Sequence, residues 1–143
     1  MLERVRASSV DEIVVVLGAY EVETTARVVR CPVWKRGPGA SLRCGLDALP
    51  DAVGAAVVVL ADGPDLAPAA IVRIVGAWRG GAGDVLAASY RGVRGHPVLL
   101  ARAAWESVPD EGARALEPVL VACDDLGDPG DVDYPEDLPA RFR

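Results

Sequence analysis

Two uninterrupted apolar stretches, at 13–17 (Ile-Val-Val-Val-Leu) and 55–60 (Ala-Ala-Val-Val-Val-Leu), constrain this chain more than any other feature. Neither alternates apolar with polar positions, as a strand with one wet face would. Gly18 closes the first and Ala61-Asp62-Gly63-Pro64 the second. Short continuous runs of this kind are strands covered on both faces, which is the signature of a parallel sheet. At 143 residues the chain can bury a single core and fits one domain.

The rest of the chain alternates helix and strand signals. Residues 2–7 read as the last turns of a helix, and 26–30 alternate as a more exposed strand does. Leu42, Leu46 and Leu49 fall at helical spacing before Pro50, and Ile71, Ile74, Val75 and Trp78 do so after Pro68. Strands are expected at 85–90, 97–100 and 119–121, with the first two joined by the turn-rich 91–95. Short helices are expected at 101–108 and 112–116, and a terminal one from Pro135. The pattern is that of an α/β domain with a mostly parallel sheet. One link is awkward. Only residues 18–25 separate the strands at 13–17 and 26–30, fewer than a parallel crossover usually takes, so the second is expected at a sheet edge.

Composition narrows the partners. The net charge of −6 disfavours nucleic acid, whose phosphates need a basic face. A hydrophobic content of 51% beside 25% charged residues is that of an ordered globular protein. No apolar run approaches the roughly 18 residues of a membrane span, and Met1-Leu2-Glu3-Arg4 lacks the pattern of a signal peptide. A cytoplasmic protein is expected. Cys31, Cys44 and Cys123 are odd in number and lack metal-site spacing, so reduced thiols are expected ahead of a disulfide or metal role.

Candidate chemistry gathers in a few segments. Asp62-Gly63-Pro64-Asp65 follows a buried strand, where α/β sheets bind ligands, and a carboxylate there can hold Mg²⁺ against substrate phosphates. The same residues also make an ordinary solvated turn. Residues 131–137 carry a second acidic cluster, in which Glu136 and Asp137 suit a helix start while Asp131 is left without that reason. His96, the only histidine, is either a structural hydrogen-bonding residue or a site residue. Gly37-Pro38-Gly39-Ala40-Ser41-Leu42-Arg43 leads into a helix N-terminus, which can bind an anion or simply begin the helix. P-loop, GxGxxG, HExxH and Ser-His-Asp patterns are absent, which counts against P-loop kinases, dehydrogenases and hydrolases.

In order, these segments resemble the molybdenum-cofactor nucleotidyltransferases, most closely the cytidylyltransferase branch that makes molybdopterin cytosine dinucleotide. Ser41-Leu42-Arg43-Cys44-Gly45-Leu46 is similar to that family's Ser-Leu-Arg-x-Gly-Leu segment. Leu60-Ala61-Asp62-Gly63-Pro64 resembles its Gly-Asp-x-Pro metal loop, with Ala61 in place of glycine, and Gly95-His96-Pro97 resembles its Gly-His-Pro turn. Segments 110–116 and 131–138 resemble its last two. The resemblance implies a Rossmann-like three-layer nucleotidyltransferase fold of the glycosyltransferase-A-like kind. It implies transfer of CMP, in preference to GMP, from CTP or GTP to a phosphorylated acceptor such as molybdopterin, with release of pyrophosphate. Asp62 and Asp133 would be the catalytic carboxylates holding Mg²⁺, Gly39, Ser41 and Arg43 would lie at the nucleotide, and His96 and Arg114 at the acceptor.

The family opens with a strand and a Leu-Ala-Ala-Gly-x-Ser-x-Arg-Met-Gly loop that these residues do not contain, so 1–143 reads as a single domain truncated at its N-terminus. A start placed downstream of the true one, a truncated non-catalytic nucleotide-binding or interaction module, and a strand supplied by another chain are the open explanations. Without that central strand, those at 13–17 and 55–60 should be either separated by a gap or paired with each other. A related sugar or isoprenoid-precursor nucleotidyltransferase is the neighbouring chemistry, and the bare edge at 26–30 leaves a homodimer open.

Overall fold

The computed structural model describes residues 1–8 and 10–130. Among them the elements run α1 (Leu2–Arg6), β1 (Val14–Leu17), β2 (Arg27–Arg30), α2 (Pro38–Asp47), β3 (Ala55–Val58), α3 (Pro68–Arg79), β4 (Val85–Tyr90), β5 (Val93–Ala101) and β6 (Val119–Ala122). Residues expected as short helices at 101–108 and 112–116 form 3-10 segments instead, at Arg102–Ser107 and Ala113–Ala115.

The larger sheet has the order β3-β5-β4-β6. β3 and β4 each pair antiparallel with β5, and β6 pairs parallel with β4, so β3, β4 and β6 share one direction and β5 alone runs against them. That reversal comes from a two-residue hairpin. Arg91 and Gly92 both have positive φ, 56° and 76°, the left-handed pair that matches the twist of adjoining strands.

Residues of β3, β4 and β5 alternate between two helical layers. Ala87, Val98 and Leu100 pack with Leu46 of α2, Trp105 and Val108 on one face. Leu86 and Leu99 pack with Ile74 of α3 on the other. The result is a three-layer α/β sandwich of the Rossmann-like kind expected. Trp105 is fixed by its indole N–H, which donates to the Leu100 carbonyl at 2.9 Å, and by the Arg102 guanidinium stacked 4.1 Å above its ring.

β1 and β2 form a separate parallel pair, with Val14 opposite Arg27 and Leu17 opposite Arg30. The connection 18–26 reaches β2 without a helix. β1 and β3 do not pair with each other and lie in different sheets. β1 rests on α2 instead, so closely that a Cβ on Gly45 would stand 2.6 Å from Val16 Cγ2.

The two apolar runs are not the most buried strands. Within β1 only Leu17 is buried and β3 is half-buried throughout, whereas five of the six β4 positions are buried. β3 ends a sheet and β1 lies in a pair, while β4 and β5 occupy the centre.

Cys31 and Cys44 are joined as a disulfide between the end of β2 and α2, against the expectation of reduced thiols. The reason is topological. Cys31 N–H extends the ladder by donating to the Leu17 carbonyl, and α2 lies across that sheet with the Cys44 Cα 5.7 Å from that of Cys31. Cys123 is a buried free thiol.

Candidate functional site

β3 points Leu60 and Ala61 out of the sheet into a tight acidic loop. Gly63 N–H donates to the Leu60 carbonyl and Leu66 N–H to that of Gly63, so the chain folds back on itself before α3 begins at Pro68. Two distant segments brace the loop. Arg4 of α1 donates to the Leu66 carbonyl at 2.9 Å, and Asp65 N–H donates to the Pro129 carbonyl at 2.7 Å. A Cβ on Gly63 would meet Pro129 Cβ at 3.3 Å, which explains a glycine beside Asp62. Asp62 itself is exposed.

His96 arrives beside this loop through a bulge. Along β4 and β5, Ala87 pairs with Val98, but the next pairing joins Ser89 to Arg94. Gly95, His96 and Pro97 therefore face the single residue Ala88 and swell out of the ladder. Bulges of this kind re-aim side chains next to sites. The other edge of β5 runs antiparallel to β3 with Val98 opposite Val58, and continuing that register brings His96 across from Leu60. The His96–Pro97 peptide is cis.

The outcome is a cavity of about 70 Å³ lined by Leu60, Asp62, Gly63, Tyr90, His96 and Asp128, among others. That volume suits an ion with a few waters or one phosphoryl group, and is far below the several hundred Å³ of a whole small-molecule pocket. His96 Nδ1 is buried without a hydrogen-bond partner among the described residues. Burial holds the imidazole below its ordinary pKa, opposed by the Asp62 charge and assisted by Arg94. A neutral imidazole thus lines the cavity beside the acidic loop, with its Nδ1 shielded from solvent.

The nucleotide candidates lie elsewhere, on the first half of α2. Gly39 N–H donates to the Asp110 carbonyl at 2.9 Å, and a Cβ at Gly39 would fall 1.6 Å from the Pro109 carbonyl oxygen. Arg43 donates to the Val108 carbonyl at 2.8 Å and forms a hydrogen-bonded ion pair with Asp110. The Arg43 hydrogen bond, with Arg36 nearby, holds the Asp110 carboxyl below its usual range. Ser41 is half-buried one turn into the helix. Arg114 is exposed on the Ala113–Ala115 turn, which is clamped from behind by Arg94 donating to the Ala113 and Leu116 carbonyls.

The structure thus brings Asp62 and His96 together around one cavity that does not include Gly39, Ser41, Arg43 or Arg114. Asp133 lies outside the described residues. Among the described residues, no three His, Cys, Asp or Glu side chains assemble to hold a metal ion. Tyr90 and Asp128 line the cavity without having been singled out by sequence. Tyr90 closes a strand and looks like core, and Asp128 sits in a Gly-Asp-Pro-Gly turn, so neither carried a signal. No helix among the described residues is long and apolar enough to cross a membrane.

Comparison with known proteins places this geometry in a family. A model described as "MobA-like NTP transferase domain" matches residues 1–124. Three solved structures share the fold. Rv0371c from Mycobacterium tuberculosis H37Rv is 23% identical with a TM-score of 0.74, over 95% of this chain and 77% of that one. The manganese complex of the same protein gives 21% identity and a TM-score of 0.73, over 95% and 79%. An Rv0371c homolog from Mycobacterium sp. strain JC1 gives 20% and 0.72, over 95% and 76%. No curated protein matches the chain.

Proposed function

We propose that this chain, which belongs to the MobA-like NTP transferase family, transfers CMP, in preference to GMP, from a nucleoside triphosphate to a phosphorylated acceptor such as molybdopterin. Family membership makes it a nucleotidyltransferase acting on an NTP; the base, the acceptor and the residue roles are our reading. The observation that carries it is the meeting of Asp62, at the carboxyl end of β3, with His96 of the β5 bulge around one phosphoryl-sized cavity.

An acceptor phosphate oxygen attacks the α-phosphorus. The new P–O bond forms as the bond to the β-phosphate oxygen breaks, and pyrophosphate leaves with the electron pair. Little of this needs covalent help from the protein, so positioning and charge neutralisation dominate. Oxygen donors from one or two carboxylates, completed by substrate phosphates, are what Mg²⁺ takes. Asp62 fits that role, and Asp133 is its expected partner. When bound, the cation would neutralise the triphosphate and polarise the α-phosphate.

The protein's own groups then divide the work. Asp62 holds the metal side and His96, kept neutral by burial, lines the acceptor side of the cavity. Arg114, exposed on its turn, extends the acceptor side. Gly39, Ser41 and Arg43 serve the nucleotide, which requires Arg43 to exchange the Asp110 carboxylate for a phosphate oxygen. The same reading carries a cytoplasmic location and a homodimer through the outer edge of β2, which among the described residues pairs only with β1.

One observation favours a second reading, a non-catalytic interaction module: both Gly39 and Arg43, the residues assigned to the nucleotide, are engaged by the 108–110 segment. The two are separated by measuring pyrophosphate release from CTP and from GTP with Mg²⁺ and molybdopterin. The enzyme reading expects faster release from CTP, and loss of it in Asp62→Asn by about 100-fold or more, the scale of removing one charge-stabilising group. No release and no nucleotide binding support the module.

A further inference from the structure

The bulge that delivers His96 creates a problem of its own. Three residues opposite one leave backbone groups without ladder partners, and a buried carbonyl without a donor is costly. Tyr90 answers it. Its Oη donates to the His96 carbonyl at 2.6 Å. Its ring packs against Gly95, where a Cβ would stand only 2.9 Å from Cδ2 and Cε2. Tyr90 is 8% exposed, packed with Ala70, Ala88 and Cys123. Burial pushes its phenol up to about 12, with the neighbouring Cys123 and the Asp128 charge adding to this, so the hydroxyl stays a donor across the working range. The bulge is thereby held at two adjacent residues, by a ring on Gly95 and a hydrogen bond on His96.

We propose that Tyr90 is the positioning residue that aims the His96 imidazole into the Asp62 cavity. This rests on the reading of that cavity as the acceptor end of the site. The hydroxyl fixes the backbone from which the imidazole projects, and the ring forbids any side chain at position 95 that would tilt it. Because His96 is the only histidine in the chain, its imidazole nitrogens give a single identifiable NMR signature.

Tyr90→Phe keeps the ring and removes the hydrogen bond. The imidazole ¹H–¹⁵N signals, single in the wild type and broadened by added Mn²⁺ with CTP, become multiple or averaged, and the broadening weakens. In the pyrophosphate-release assay kcat falls about three- to tenfold, the scale of one hydrogen bond, while KM for CTP holds. Gly95→Ala, which pushes the ring aside but keeps the hydroxyl, gives the same pattern. In a His96→Ala background Tyr90→Phe has no further effect on kcat. Wild-type-like imidazole signals in Tyr90→Phe, or an undiminished effect on kcat without His96, overturn the proposal. Pyrophosphate release indifferent to both Asp62→Asn and His96→Ala overturns instead the reading of the cavity, and the imidazole signals alone then decide whether Tyr90 aims His96.

Discussion

Replacing Cys44 with serine removes the Cys31–Cys44 bridge, which closes a loop with a sequence separation of 13. Inside that loop lie the turn at Trp34–Arg36 and the first half of α2, with Gly39, Ser41 and Arg43. A cross-link acts mainly by restricting the unfolded chain, and the loop-closure relation gives about 3 kcal/mol for a loop of this length. Position 44 is the better one to change. Cys44 is half-buried, whereas Cys31 is 2% exposed, so serine at 31 would add the burial of a hydroxyl. The thiol left at Cys31 has the Ala40 carbonyl 3.5 Å away as an acceptor, so cutting the bridge orphans no polar atom. Urea unfolding of the oxidised protein should show Cys44→Ser less stable by about 2–4 kcal/mol, with a steeper denaturant dependence because the freed chain exposes more surface. Reductant should bring the wild type to the variant's midpoint and leave the variant unmoved. Equal midpoints for the oxidised wild type and Cys44→Ser, with the bridge verified by mass, would refute the reasoning.

Gly39→Ala forces a methyl onto the Pro109 carbonyl, which would stand 1.6 Å away, and should cost about 2 kcal/mol or more by thermal or urea unfolding. Asp110 is held below its ordinary pKa by Arg43, so its stabilising effect is full above the usual carboxylate pKa and is lost as pH falls through the lowered value. The stability gap between wild type and Asp110→Asn should therefore be largest near neutrality and close in acid, as acid-unfolding curves would record. Asp110→Asn should also loosen Arg43 and so tighten CTP binding in calorimetry, if Arg43 trades that carboxylate for a phosphate.

What the sequence disclosed depended on whether the signal was local. The helices around Leu46 and Ile74 and the hairpin strands around Ala87 and Leu99 were legible because each buries its own periodic pattern. Edge and centre were not, since Val57 in an edge strand and Leu86 in a central one have the same apolar neighbours in sequence. β5 was read too short: 91–95, with Gly92 and Gly95, looks like a turn, yet Val93 to Gly95 belong to the strand and Gly95 is accommodated in a bulge whose existence depends on the register with β4. The Cys31–Cys44 pairing needed the crossing of α2 over β1 and β2, which residue spacing does not encode. At the site, Asp62 and His96 were recognisable as residues, but their convergence on one cavity depends on β3 and β5 being neighbours, and Tyr90 acquires a role only once Gly95 and His96 swell toward it.

The claim on which the rest depends is that Asp62 holds a divalent cation at the transferring phosphate. Titrating Mn²⁺ into the protein with CTP, followed by electron paramagnetic resonance of the free ion, tests it directly. The account predicts a protein-bound Mn²⁺ that Mg²⁺ displaces and whose affinity falls at least tenfold in Asp62→Asn, in line with losing one charged oxygen ligand from a small set. Mn²⁺ binding of equal strength in wild type and Asp62→Asn would contradict it.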